Sequence, residues 1–169
     1  MAGVNAQIDL RITAQQVGTA DLGSPRMTID PISEILQFSS GTDTVGKANI
    51  LFSDTRQLAA SATEDLDLAG VLTDAFGATI TAAEVVAIFI KAHATNTNSL
   101  IVGAATQPFA GPLGALGTYT IKPGEYYLAT SQSGWAVGAG ATDDLKIANS
   151  AGGTVVDYDV IIIGRTAAA

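Results

Sequence analysis

His93 is the only histidine in the chain, so any imidazole acid–base chemistry must begin there. A general base of that kind needs a nucleophile on one side of the ring and an orienting carboxylate on the other. No serine sits in a Gly-x-Ser-x-Gly setting. His93 reads instead as a residue just beyond the strand that contains Phe89 and Ile90. Carboxylates offer a second chemistry. Glu64, Asp65 and Asp67 cluster, as do Asp143 with Asp144 and Asp157 with Asp159. Paired carboxylates about 5 to 9 Å apart hydrolyse glycosides, and carboxylates joined by loop carbonyls bind Ca²⁺. The i, i+2 spacing of Asp65/Asp67 and of Asp157/Asp159 also places each pair on one solvated strand face. No Asp-x-Asp-x-Asp-Gly loop is present, which excludes an EF-hand. Gly134 to Gly140 is the nearest approach to a phosphate loop, but no Gly-Lys-[Ser/Thr] ending follows it. Trp135 within it has three possible uses: packing a core edge, stacking on a sugar, or filling a subunit interface. Tyr126 and Tyr127 point to opposite faces of one strand. At most one of them belongs in a core, and the other is a candidate interface anchor; Tyr127 is taken as that candidate.

These residues sit in a chain of 169 residues with 14% charged side chains and a net charge of −8. The length suits one domain with or without a tail. Acidity disfavours nucleic acid, whose phosphates demand clustered Lys and Arg. The absence of cysteine removes thiolate metal sites and disulfides. No cofactor is expected. The 29 Ala, 19 Thr and 18 Gly give a surface of small residues with few charges. That suggests a chain largely covered by other subunits. The apolar runs 85–90 and 160–163 are too short to span a bilayer as helices. The first residues carry neither a basic nor an apolar segment, so no signal peptide is expected.

The elements that must position these residues are strands. Ile8 to Ile12 alternates apolar with polar, predicting a short half-buried strand. Turn formers follow from Gly18 to Pro25. Met27, Ile29, Ile32, Ile35, Leu36 and Phe38 then surround Pro31, a spacing that fits one helical turn over 33–38 or an extended arm lying on a neighbour. Residues 39–46 read as a linker. Residues 1–45 are therefore expected to be an arm and linker, and 46–169 a β body.

In the body, 50–56 predicts a strand, and 64–69 places Leu66 and Leu68 on one face. Residues 85–91 predict a strand covered on both faces. Turn residues 96–99 predict a hairpin to 100–102. Residues 119–121 and 126–128 flank a tight turn at Pro123-Gly124. From Thr154, one strand face carries Val156, Tyr158, Val160 and Ile162. Its other face is wet at Asp157 and Asp159 and covered at Ile161 and Ile163. Residues 74–86 have room for a short helix. Short strands separated by Gly, Pro, Asn and Asp turns predict an all-β fold, a β-sandwich of jelly-roll type with an extended N-terminal arm.

The segments 58–70 and 72–80, the Gly134-Trp-Ala-Val stretch, Asp144 to Ser150 and the closing 158–164 together resemble small β-sandwich virion structural proteins of long-tailed bacteriophages. The resemblance spans about residues 50 to 164, and its nearest analogy is with head decoration, or cement, proteins. It implies a non-enzymatic role in the virion on the outer capsid surface. It also implies binding to the major capsid protein, with homo-oligomers, commonly trimers, at capsomer junctions. The arms of such proteins reach the capsid protein or a neighbouring copy. Ile8, Leu10, Ile29, Ile32, Ile35 and Phe38 are the expected contact residues, by strand addition or groove filling. Tail components and carbohydrate-binding modules are the alternative readings. No nucleic acid or membrane partner is expected.

Overall fold

A computed structural model describes residues 3–19 and 21–169. The chain opens with two long antiparallel strands, β1 (Ala6–Val17) and β2 (Arg26–Ser40). Gly18 N–H donates to the Pro25 carbonyl at 2.9 Å and closes the hairpin. Cross-strand pairing runs from Ala6↔Phe38 to Val17↔Arg26. One register shift falls between Ile12 and Ala14, opposite Asp30 and Pro31. Pro31 has no N–H to give to the ladder, so the extra residue is accommodated there as a bulge. Residues 33–38 are thus extended and not a helical turn. The strand expected at Ile8 to Ile12 is longer than its alternation suggested, and it is mostly exposed.

After a short β3 (Lys47–Ala48), which pairs parallel to the end of β2, come eight strands. They are β4 (Ile50–Leu58), β5 (Thr63–Asp67), β6 (Glu84–Ala92), β7 (Leu100–Gly103), β8 (Thr118–Ile121), β9 (Tyr126–Ala136), β10 (Asp144–Asn149) and β11 (Val156–Arg165). One sheet has the order β4-β11-β6-β9 and the other β5-β10-β7-β8. All pairings within the two sheets are antiparallel. Phe52, Ile88, Ile90, Tyr158, Val160 and Ile162 from the first sheet meet Leu66, Leu100, Val102, Ile121, Leu145 and Ile147 from the second in one core. The fold is an all-β sandwich, and no helix occurs among the described residues.

Two local expectations are corrected. The turn at 96–99 does not close a hairpin, because β6 and β7 belong to different sheets. Asn96 holds the start of this corner to β11, the neighbour of β6 in its own sheet. Its Nδ2 donates to the Asp157 carbonyl at 2.8 Å, and its Oδ1 accepts from Asp157 N–H at 2.9 Å. The Pro123-Gly124 turn forms as expected, with Gly124 at φ +81°. It too crosses between sheets, from β8 to β9. Residues 74–86 hold no helix. Asp74 Oδ1 accepts from the N–H groups of Phe76 and Ala78, both at 2.9 Å, and a Thr73↔Thr79 bridge closes the loop. A side chain that satisfies nearby N–H groups in this way competes with helix formation.

The arm is clamped to the body and not tethered loosely. Phe38, Ala48, Val86, Ala87 and Ile163 form a second small core, with Val4, Ala6, Ile8 and Leu36 packed against it. The segment expected to be a linker is a tight loop held on several sides. Ser39 N–H donates to Gly46 O at 3.1 Å, and Ala167 N–H to Thr42 O at 3.0 Å. Arg165, 0% exposed, lies under this loop. Its Nε donates to Glu84 Oε2 at 2.5 Å and its Nη2 to Ser133 O at 2.5 Å. Its Nη1 donates to the carbonyls of Thr44 at 3.1 Å and Gln132 at 3.3 Å. One guanidinium therefore ties β6, β9, β11 and the arm's loop together.

Candidate functional site

The strand period of two sorts the hairpin's side chains by face. Ala6, Ile8, Leu10, Ile12 and Ala14 of β1 share one face with Phe38, Leu36, Glu34, Ile32, Ile29 and Met27 of β2. Gln7, Asp9, Arg11 and Gln15 share the other with Gln37, Ile35, Ser33 and Thr28. One face is apolar except for Glu34 and, at the tip, Gln16 opposite Met27; the other is polar except for Ile35 and, at the tip, Val17 opposite Arg26. The apolar face is covered only at its base. Beyond Ile8 it lies open, with Leu10 47% and Ile32 53% exposed, and Ile12, Ile29 and Met27 comparably bare.

The expected contact residues therefore separate. Leu10, Ile29 and Ile32 stand together on the open apolar face. Ile8 sits at its covered edge and contributes to the second core. Phe38, 2% exposed, is consumed by its own body and offers nothing to a partner. Ile35 is exposed on the opposite, polar face. Ile12 belongs to the open face and was not among the expected contacts, although the alternation Ile8, Leu10, Ile12 carried its signal. Met27, part of the expected arm, lies on the same open face.

A second apolar surface lies on the outside of the β4-β11-β6-β9 sheet. Pairing places Ser53, Ile161, Phe89 and Leu128 in one row across the four strands. The next row toward the arm is Leu51, Ile163, Ala87 and Thr130. The row beyond carries Thr55, Asp159, Lys91 and Tyr126. Residues 85–91 and Ile161 were expected to be covered on both sides. The arm base covers Ile163 and Ala87, while Ile161, Leu128 and Leu51 remain exposed. Ile8 and Gln7 of the arm and Phe89, Leu128 and Ile161 of the sheet wall a groove of about 360 Å³. Tyr126, 59% exposed, stands beside it with its ring 5.7 Å from that of Phe89. The exposed member of the tyrosine pair is therefore Tyr126. Tyr127 packs against the core, 5.0 Å from the Tyr119 ring. Burial, with Tyr119 adding to it, raises the Tyr127 phenol above its ordinary value. Trp135 also packs against the core, in the first of the three uses open to it.

The titratable residues form separate small networks. His93 Nε2 lies 3.1 Å from Asp159 Oδ1, and Thr55 Oγ1 donates to the same oxygen at 2.8 Å. The His93 bond, then the Thr55 bond, hold the Asp159 carboxyl below its ordinary value. The carboxylate is the hub here. A nucleophilic triad instead places the imidazole between acid and hydroxyl. Glu64 faces inward and joins the two sheets. Its Oε1 accepts from Tyr158 Oη at 2.5 Å, and its Oε2 from Arg56 Nε at 2.8 Å. Burial, then the bond to Glu64, push the Tyr158 phenol well above its ordinary value. Asp67 pairs with Asp144 across β5 and β10, with Asp65 opposite Lys146. Burial, then repulsion from Asp65, Asp143 and Asp67, raises the Asp144 carboxyl. Asp143 is engaged elsewhere, accepting from Gly140 N–H at 2.5 Å. Among the described residues no group of three or more His, Cys, Asp or Glu gathers as a metal site. No family model, no curated protein and no solved structure matches the chain.

Proposed function

We propose that this chain is a bacteriophage virion structural protein, most closely a capsid decoration protein that binds the outer surface of the assembled head and stabilises it without catalysis. The observation that carries the reading is the amphipathic hairpin. It is a rigidly based arm whose apolar face has no partner in its own chain. An open apolar face of this extent marks an interaction site.

The body supports the same reading. Counted along the sandwich, its sheets run first-eighth-third-sixth and second-seventh-fourth-fifth. Every connection except β7–β8 passes from one sheet to the other. That order supports reading the sandwich as a jelly roll, an architecture used by capsid and lectin domains. Acidity suits an outer surface better than a lumen filled with phosphate. A protein that binds the assembled shell and not its separated parts stabilises the shell by mass action. An oligomer, here a trimer, strengthens weak individual contacts. The glycan-module reading loses its main platform because Trp135 is committed to the core.

The test is sedimentation of the purified chain with heads of the particle whose genome encodes it, stripped of this protein. We expect binding to assembled heads, none to unassembled capsid subunits, and a higher melting temperature for the loaded heads. A reconstruction that places the density in the tail, or failure to bind stripped heads, overturns the reading.

A further inference from the structure

Each copy carries two uncovered apolar surfaces, and they match. One is the distal hairpin face of Leu10, Ile12, Ile29 and Ile32. The other is the outer sheet row of Ile161, Phe89 and Leu128. The molecule already shows that the two kinds of surface fit. At the arm's base, Ala6, Ile8 and Leu36 of the same hairpin face pack on Ala87 and Ile163 of the same sheet face. The uncovered sheet row begins where the chain's own arm lifts away, and a groove separates the two.

We propose that the distal hairpin face of one copy seats on this outer sheet face of a second copy, beside that copy's own arm, in a head-to-tail exchange that closes into a ring. An arm on a sheet is a heterologous contact, which forms closed rings when the rotation permits. The occupant is a second copy because supply and demand then balance. Every copy gives one arm face and receives one, so neither of these two faces is left bare. An unrelated partner on the arm leaves the sheet row bare. Charge points the same way. With a net charge of −8, two copies repel each other except through charge-poor faces. The hairpin face carries only Glu34, and the row of Ile161, Phe89 and Leu128 carries no charge at all. The adjoining row carries Lys91 directly opposite Asp159, a balanced pair that adds no net charge to that face.

The inference rests on the attachment reading and assigns the arm face to joining copies, which leaves the body's other exposed apolar residues, Val71, Phe76 and Leu116, for the shell. Its test needs no capsid, so the two fail separately. Ile32→Asp disables the arm face, and Leu128→Asp disables the sheet face. Both positions are exposed in the single chain, so circular dichroism should be unchanged. Analytical ultracentrifugation is expected to show the wild type as an oligomer and each variant as a 17.1 kDa monomer. Mixing the two variants is the decisive arm. One intact arm and one intact sheet remain between them, so a one-to-one complex of twice the monomer mass forms. A monomeric wild type, a variant that keeps the wild-type mass, or a mixture that stays monomeric overturns the proposal. The second outcome is the one that arm-to-arm or sheet-to-sheet contact gives.

Discussion

Arg165 is a guanidinium with no access to water, held by one carboxylate and three backbone carbonyls. Removing one partner of a buried ion pair leaves the other charge uncompensated and costs about 3–5 kcal/mol. Arg165→Met is therefore expected to lower the urea-unfolding free energy by that order, and to loosen the 41–46 loop in hydrogen exchange. Gly134 belongs to the same site, at φ +81°, with space for a Cβ closed by Arg165 Nη2 at 2.9 Å. Tyr158 makes a pH prediction. Its phenol is raised in the folded state, so its contribution is complete below the unfolded value near 10 and is lost as pH rises beyond that. A stability-versus-pH profile should fall above pH 10 for the wild type and fall less steeply for Tyr158→Phe. Asp159 has the opposite sign. Its carboxyl is lowered, so its contribution is present above its ordinary value of 3.8 and disappears as pH falls below it. These partners were not legible in the sequence. Arg165 and Glu84 are 81 positions apart, and nothing in their local spacing joins them.

At the scale of elements, the hairpin divides into a half that stabilises the chain and a half that does not. Phe38→Ala removes a fully packed ring from the second core and should cost about 3–5 kcal/mol in denaturant unfolding. A paired Ile12→Ser and Ile32→Ser change on the exposed half should alter stability by less than about 0.5 kcal/mol. Equal losses for the two sets would contradict the division. The alternation of Ile8, Leu10 and Ile12 made the first strand readable, because period two is a local property. What covers a strand is not local. Phe38 looked the same as Ile32 in sequence, yet one is anchored on Ile163 and the other stands free. The turns at 96–99 and 123–124 were readable as turns, since their chemistry lies in adjacent residues. Their destinations were not, because a tight turn and a sheet-crossing corner use the same residue types. Asp144 illustrates a cost carried by an element. Like charges meet across β5 and β10, so Asp144→Asn should raise stability at neutral pH by a few tenths of a kcal/mol, the order of an exposed charge pair.

At the scale of the molecule, the all-β class was legible because apolar alternation and turn residues repeat along the chain. The surface with functional weight was legible only in part, since the outer sheet face is assembled from β4, β6, β9 and β11. The same topology has a temporal consequence. β11 follows every other strand in chain order, yet it sits between β4 and β6 and supplies Tyr158, Ile163 and Arg165. The sandwich core, the clamp between sheets and the arm's base each lack a component until β11 is made. During synthesis the hairpin leaves the ribosome before the body and has no foundation to stand on until nearly all of the body has emerged. Non-local closure of this kind folds slowly and late. Nascent chains crowded on one message therefore expose hairpins that have no finished sheet to receive them. In the proposed ring, assembly is thereby deferred to completed copies.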